Sequence, residues 1–262
     1  LPVLQPEKLK APEFVEAMQA LQPDLGIVIA FRMLPEVIWN MPRLGTFNLH
    51  ASLLPQYRGA APINWAIING ETETGVTTFL LNHEIDKGGI IGQIRVPIFP
   101  EDNIGTLYDK LMTTGTSLVT ETVDRIAAGD IRPIEQQHVD EATLRPAPKI
   151  FKEDCQIDWA KPGHEIVNFV RGLSPYPAAW TEMYREGSNE ASSAKIFAAT
   201  FEAAAHSEAC GAVQSDGRTF IRVACADGWI ALGELQIAGK KRLAVRELLL
   251  GWRDVHQYRF RK

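Results

Sequence analysis

Cysteine is scarce in these 262 residues: Cys155, Cys210 and Cys225 are odd in number, lie far apart and form no C-x-x-C pair. That arithmetic indicates neither a disulfide framework nor a zinc site, and a reduced, cytoplasmic setting is expected. Long apolar runs are missing as well. Nothing approaches the roughly 18 apolar residues of a membrane span, and the most apolar short stretch, LGIVIAF at 25–31, has only strand length, so no membrane partner is expected. The chain opens at Leu1 without an initiator methionine and without a charged-then-apolar leader; it reads as neither a natural start nor a signal peptide, and further sequence upstream is expected. Internal repeats and low-complexity tracts are also absent.

What is present suits a globular protein. An apolar share of 45% supports real cores, and the length allows one large domain or two of ordinary size. The net charge of −5 is uneven: residues 1–150 hold 12 basic and 18 acidic side chains, residues 151–262 hold 15 and 14. Within 239–262 there are eight basic residues against Glu247 and Asp254. A basic end on an acidic body points to a polyanionic partner, a solvated surface being the plainer alternative.

Periodicity in the first half alternates helix and strand. PEFVEAMQAL (12–21) starts on Pro12 and aligns Phe14, Val15, Met18 and Leu21 on one face, which predicts a helix. LGIVIAF follows with the texture of a parallel strand covered on both sides. TFNLH (46–50), GVTTFLL (75–81) and IGQIRVPI (91–98) predict further strands, AAPINWAIING (60–70) a helix, and the amphipathic run from Ile104 to Ala128 a long one. This is an α/β pattern with an open sheet. Residues 130–150 lose the pattern and carry Pro133, Pro146 and Pro148, the composition of a connector. Beyond them, one helical stretch, GHEIVNFVRGL (163–173), precedes KIFAATF, GAVQS, TFIRVAC and GWIALGELQ, the rhythm of a small β-barrel or sandwich. The expected division is 1–132, a linker at 133–152, and 153–262.

The densest cluster of polar chemistry is FNLHASLLPQYRGAAPINWAI at 47–67. Residues i and i+2 of a strand share a face, so Asn48 and His50 project together at the strand's C-terminal end, where open α/β sheets bind ligands. An amide can donate to a carbonyl oxygen that turns negative during addition, and an imidazole can move a proton near neutral pH. The pair suits acyl-type transfer. No Ser or Cys stands in a nucleophile elbow, so direct attack by a substrate amine is the simpler mechanism. Asp86, in NHEIDKGGI, is a candidate third member that could hold and polarise His50, or it could merely build the turn. His83 competes for the imidazole role.

Asn48, His50, the run SLLPQYRGAAPINWAI and Asp86 together resemble the folate-dependent formyltransferases, and most closely the branch that formylates methionyl-tRNA. KEDCQIDWAKPGHEIVNFVRGLSPYPAAW (152–180) and GELQIAGKKRLAVRELL (233–249) resemble the linker and C-terminal domain of that branch. The resemblance runs from about Leu21 onward. It implies a Rossmann-like open-sheet formyltransferase domain, N-terminally incomplete, followed by a small OB-like β-barrel. It implies transfer of the formyl group of 10-formyltetrahydrofolate to the α-amino group of methionine on initiator tRNA, with Asn48 stabilising the oxyanion, His50 shuttling a proton and Asp86 orienting both. No metal is implied. The folate would lie against Arg32, Met33, Leu34, Ser52, Leu53, Leu54 and Pro55. Initiator methionyl-tRNA would meet Arg58, which could instead brace its loop, and Lys240, Lys241 and Arg242. The expected working unit is a monomer.

The chain departs from the family at Phe31-Arg32, where many members have Tyr-Gly, and at Lys87-Gly88-Gly89, where Thr-Gly-Asp is common. The resemblance also implies some sixty further residues before Leu1, with a strand and a glycine-bearing turn. Two other readings compete: a folate enzyme acting on glycinamide ribonucleotide or an amino sugar, and a non-catalytic tRNA-binding module.

Overall fold

The computed structural model describes residues 2–30, 33–136, 141–185, 187 and 191–262. Two compact units interleave along the chain, one built from 1–62, 73–97 and 109–148, the other from 63–72, 98–108 and 149–262.

The first unit is a four-stranded sheet with helices. Helix α1 (Pro12–Ala20) begins on the proline, whose missing N–H is no loss in a first turn. Strand β1 (Gly26–Ile29), helix α2 (Glu36–Trp39), β2 (Thr46–His50), β3 (Glu73–Leu80) and β4 (Ile90–Pro97) follow in order, while helix α3 (Pro62–Ile68), between β2 and β3 in the chain, falls in the second unit from Ile63 on. The sheet runs β1-β2-β3-β4, with β1 and β2 parallel and the remaining pairs antiparallel. The expected parallel strand is there, since β1 pairs with β2 in parallel, but it is not covered on both sides. Among the described residues of this run the strand covers Gly26–Ile29, the backbone turns at Ala30 (φ +48°), and Ile27 and Ile29 are 46% and 54% exposed.

Helix α4 (Ile104–Ala127) covers one face of this sheet. Phe47 of β2 is fully buried with Ile91 and Ile126, and Val119 and Val123 pack beside them. The absence of a side chain at Gly115 lets Leu49 lie directly against the helix, since a Cβ there would come within 2.8 Å of a Leu49 methyl. Phe47 and Leu49 therefore face α4, and the alternation of the strand turns Thr46, Asn48 and His50 to the opposite face.

The second unit is barrel-like. Helix α5 (Gly163–Leu173) leads into β5 (Ala179–Arg185), β6 (Ala191–Ala203), β7 (Val213–Ser215), β8 (Ile221–Cys225), β9 (Gly228–Ile237), β10 (Leu243–Ala244), α6 (Val245–Leu248) and β11 (Tyr258–Arg261). The sheet order is β11-β5-β6-β9-β8-β7, with β10 on β9. Irregularities between Ile196 and Ala199 let the thirteen residues of β6 bend around the core. The ends meet where Ala212 bridges Arg259 and the Phe260 amide donates to the Gly211 carbonyl at 2.9 Å. Only glycine fits there: Gly211 has φ +87°, and a Cβ would sit 2.0 Å from the Phe260 oxygen. Ile166, Val170 and Leu173 of α5 pack into the core with Ile196, Ile221, Ile230 and Leu235.

Segments 63–72 and 98–108 join this unit through polar contacts on α5. Asn64 donates to the Gly172 carbonyl at 2.8 Å, and Arg171 donates to the carbonyls of Phe99 and Asp102 at 3.1 Å each. Burial lowers the pKa of Arg171, opposed by the nearby Asp102 carboxylate.

Candidate functional site

His50 ends β2 and is 7% exposed. Its Nε2 lies 2.9 Å from the carbonyl oxygen of Tyr57, seven residues on. A carbonyl only accepts, so Nε2 carries the proton and the neutral ring keeps its lone pair on Nδ1. Among the described residues nothing donates to that nitrogen.

Asn48 stands two residues earlier on the same face, half-buried. Its Oδ1 is sealed from solvent without a hydrogen-bond partner. A buried acceptor left unpaired costs on the order of 1–3 kcal/mol, so such an oxygen is retained where a donor completes it.

Asp86 lies in the turn between β3 and β4 in a left-handed conformation (φ +56°). The expected hydrogen bond to His50 is not formed. Its Oδ2 accepts the Gly59 amide at 3.0 Å, and its carbonyl accepts Arg58 Nε at 3.1 Å and Gln136 Nε2 at 2.8 Å. Among the described residues no group donates to Oδ1. The imidazole is thus oriented by Tyr57, while the carboxylate is oriented by Gly59.

Both holding groups belong to the loop that follows β2, and this loop is bound on each side. Ser52, fully buried, donates to the Gln56 carbonyl at 2.7 Å and accepts Thr77 Oγ1 at its own carbonyl at 2.6 Å. Leu54 is buried and precedes a cis bond to Pro55; its amide donates to Thr77 Oγ1 and its carbonyl accepts Gln93 Nε2. Leu53 is half-buried against β3, over Gly75. On the other side the chain near 143–147 runs alongside: the Tyr57 amide donates to the Arg145 carbonyl (2.7 Å), the Ala147 amide to Arg58 (2.8 Å), and the Ala61 amide to Ala147 (3.1 Å). Gln56 adds two side-chain bonds, to the Thr143 carbonyl and from the Arg145 amide.

The other residues expected from the sequence divide clearly. Ser52 and Leu54 point into the protein's own network, whereas Met33 is 75% exposed and Leu34 half-buried. Arg32 lies outside the described residues. Arg58 bonds to Asp86 and to Gln136 Oε1, so it braces the loop. His83 is a surface residue beside Trp39 and Glu36. Lys240, Lys241 and Arg242 are exposed on the β9–β10 hairpin; Arg242 pairs with Glu234 and lies 4.1 Å over the Phe197 ring. Sequence reasoning did not find Tyr57 and Gly59, which act through backbone atoms, or Gln56, Thr77, Gln93 and Gln136, which only the fold brings to the loop. Among the described residues no cluster of His, Cys, Asp or Glu could hold a metal, and no helix is long and apolar enough to cross a membrane.

Family profiles match both parts of the chain: one for formyl transferase over residues 2–123 and one for the formyl transferase C-terminal domain over 149–253. The chain is 57% identical over 260 residues to a methionyl-tRNA formyltransferase of Parabacteroides distasonis, covering 98% of this chain and 80% of that one. It is 50% identical to the enzyme of the same name from Flavobacterium johnsoniae, over 96% of this chain and 78% of that one. Among solved structures, HypX from Aquifex aeolicus in complex with tetrahydrofolic acid superposes with a TM-score of 0.63 at 21% identity, covering 91% of this chain and 40% of that one. An N-formyltransferase from Helicobacter canadensis in complex with folinic acid and dTDP-3-aminofucose gives a TM-score of 0.53 at 24% identity, covering 74% and 66%. These last two likenesses establish the fold alone.

Proposed function

The chain belongs to the methionyl-tRNA formyltransferases, and from that premise we propose that Asn48, His50 and Asp86 form its catalytic site. The enzyme transfers a formyl group from a folate to the α-amino group of methionine carried by initiator tRNA. The donor is 10-formyltetrahydrofolate. The amine attacks the formyl carbon, the carbonyl oxygen becomes an oxyanion, and the C–N10 bond breaks as N10 gains a proton.

Each requirement has a group in position to meet it. The Asn48 Nδ2 group donates to the oxyanion, a fixed dipole that needs no reorganisation as charge develops. His50 Nδ1 removes the proton that the attacking nitrogen must lose, and returns a proton to the leaving N10. Asp86 Oδ1 accepts from the hydroxyl or amine of the tetrahedral intermediate. The observation that carries this reading is that Asn48 and His50 share one face at the end of β2, with the imidazole Nε2 tied to Tyr57 so that Nδ1 is left for the substrate. Folate contacts fall to Met33, Leu34, Leu53 and Pro55, while Ser52 and Leu54 shape the loop. Lys240 and Lys241 contact tRNA phosphates. The working unit is a monomer in a cytoplasmic setting, the latter in keeping with three cysteines that form no disulfide.

The test is transfer of labelled formyl from 10-formyltetrahydrofolate to methionyl-initiator tRNA by the wild type and by Asn48→Ala. Transfer by the wild type, reduced roughly 100- to 1,000-fold in the variant, is expected. Full activity in Asn48→Ala would remove the assigned role.

A further inference from the structure

We propose that Gln136 is a positioning residue of this site, acting through Asp86. The inference rests on the catalytic reading of Asp86 given above.

Gln136 follows Ile134, whose backbone exchanges two 2.8 Å hydrogen bonds with Ile90 at the start of β4. Its own backbone is thereby anchored beside the Asp86 turn. The side-chain amide uses both ends. Nε2 donates to the carbonyls of Asp86 (2.8 Å) and Gly88 (3.0 Å), and Oε1 accepts from Arg58 Nη2. The orientation of the amide is forced, because two carbonyls can only accept and a guanidinium can only donate. Arg58 closes the ring by donating Nε to the same Asp86 carbonyl.

The turn needs such a holder. Asp86 sits in the left-handed region, which residues with a Cβ rarely adopt. Gly88 presses against β3 so closely that a Cβ would lie 1.6 Å from the Leu80 oxygen. Gln136 spans both ends of this turn with one NH2 group and links it through Arg58 to the loop whose Gly59 amide holds the Asp86 carboxylate. A residue of the connector thus sets where a reacting carboxylate points, without touching substrate.

The experiment compares Gln136→Leu, which removes all three bonds, with Gln136→Glu, which keeps the Arg58 partner but turns an oxygen toward two carbonyls. Each is made alone and in an Asp86→Asn background. Measurements are kcat and KM for formyl transfer to methionyl-tRNA, the thermal midpoint, and hydrogen exchange at the Gly59 amide. Both single variants are expected to lose about a hundredfold in kcat, with KM within about twofold, and to exchange the Gly59 amide faster. Adding either to Asp86→Asn should cause almost no further loss, since residues acting through one another are not additive. Full kcat in Gln136→Glu, or equal losses in both backgrounds, would overturn the proposal. A wild type that transfers no formyl group would sink the functional reading instead. In that event the Gly59 exchange rate decides the positioning by itself: acceleration upholds it, an unchanged rate refutes it.

Discussion

Gly59 donates its amide proton to Asp86 Oδ2 at 3.0 Å, and two residues earlier the Tyr57 carbonyl accepts His50 Nε2 at 2.9 Å. One loop therefore holds two of the three polar side chains of the site through backbone atoms. Gly59 can do so only as glycine. Its φ is +125°, and a Cβ would come within 2.4 Å of the Ala147 carbonyl oxygen, which its neighbours use to tie the loop to the connector. Gly59→Ala is expected to lower stability by about 2 kcal/mol or more and to reduce kcat even at temperatures where the protein stays folded. Thermal unfolding and single-turnover formyl transfer check the two effects separately; a variant with unchanged kcat would show that the Gly59 contact is dispensable.

His50 has a different weight. His50→Ala removes the proton carrier, and a fall in kcat of roughly 100- to 10,000-fold is expected, with the dissociation constant for methionyl-tRNA almost unchanged. The assigned tautomer has its own check. Imidazole nitrogen shifts from a histidine-labelled sample should report a protonated Nε2 and a bare Nδ1 in the neutral ring. A protonated Nδ1, or equal losses of binding and turnover in the alanine variant, contradicts the role.

The basic hairpin should separate binding from chemistry. Lys240 and Lys241 are exposed and make no side-chain hydrogen bond or ion pair among the described residues, whereas Arg242 is held by Glu234 and Phe197. Replacing both lysines by alanine is expected to weaken tRNA binding and to reduce the slope of log affinity against log salt by about 1 to 2, leaving kcat at saturating tRNA intact. Arg242→Ala should lose some packing as well as charge. Binding titrations at several salt concentrations decide it, and an unchanged slope in the double lysine variant would take this hairpin out of the tRNA contact.

Much of this was legible in residue order, for physical reasons that differ by element. Helix α5 matches the predicted 163–173 because its apolar positions recur at helical spacing and glycine and serine bound it. The strands of the second unit lie where alternating apolar residues end at glycines and aspartates. Asn48 and His50 share a face because a strand's period is two, which no tertiary contact can alter. The covering of LGIVIAF was misjudged, because an apolar run has the same composition whether both of its faces are covered or one, and composition does not fix how β3 pairs with β2. The Asp86 contact was misjudged for another reason. A loop carbonyl and a glycine amide carry no side-chain signature, so the groups that orient His50 and Asp86 cannot be seen until the backbone is folded.

The cysteines offer a last test, one that depends on burial alone. Cys155 and Cys225 lie in the barrel core, and Cys210 is exposed. Burial raises the pKa of the Cys155 thiol, and the carboxylates of Asp154 and Glu153 raise it further against a smaller opposing effect of Lys195. Burial likewise raises Cys225, which has Asp227 beside it. The reactive species is the thiolate, so both groups are doubly shielded, by access and by protonation. Iodoacetamide at pH 8 is expected to label Cys210 alone in the folded protein and all three after denaturation. The same shifts set a sign for stability. The folded state binds these two protons more tightly than the unfolded chain, so their contribution is intact below the ordinary thiol value of 9.0 and falls as pH rises above it. Mass spectrometry of the labelled protein reads the first expectation and denaturant midpoints at pH 7 and above 9 read the second. Labelling of Cys155 or Cys225 at the rate of Cys210 in the native state would mean that the barrel core opens on the timescale of the reaction.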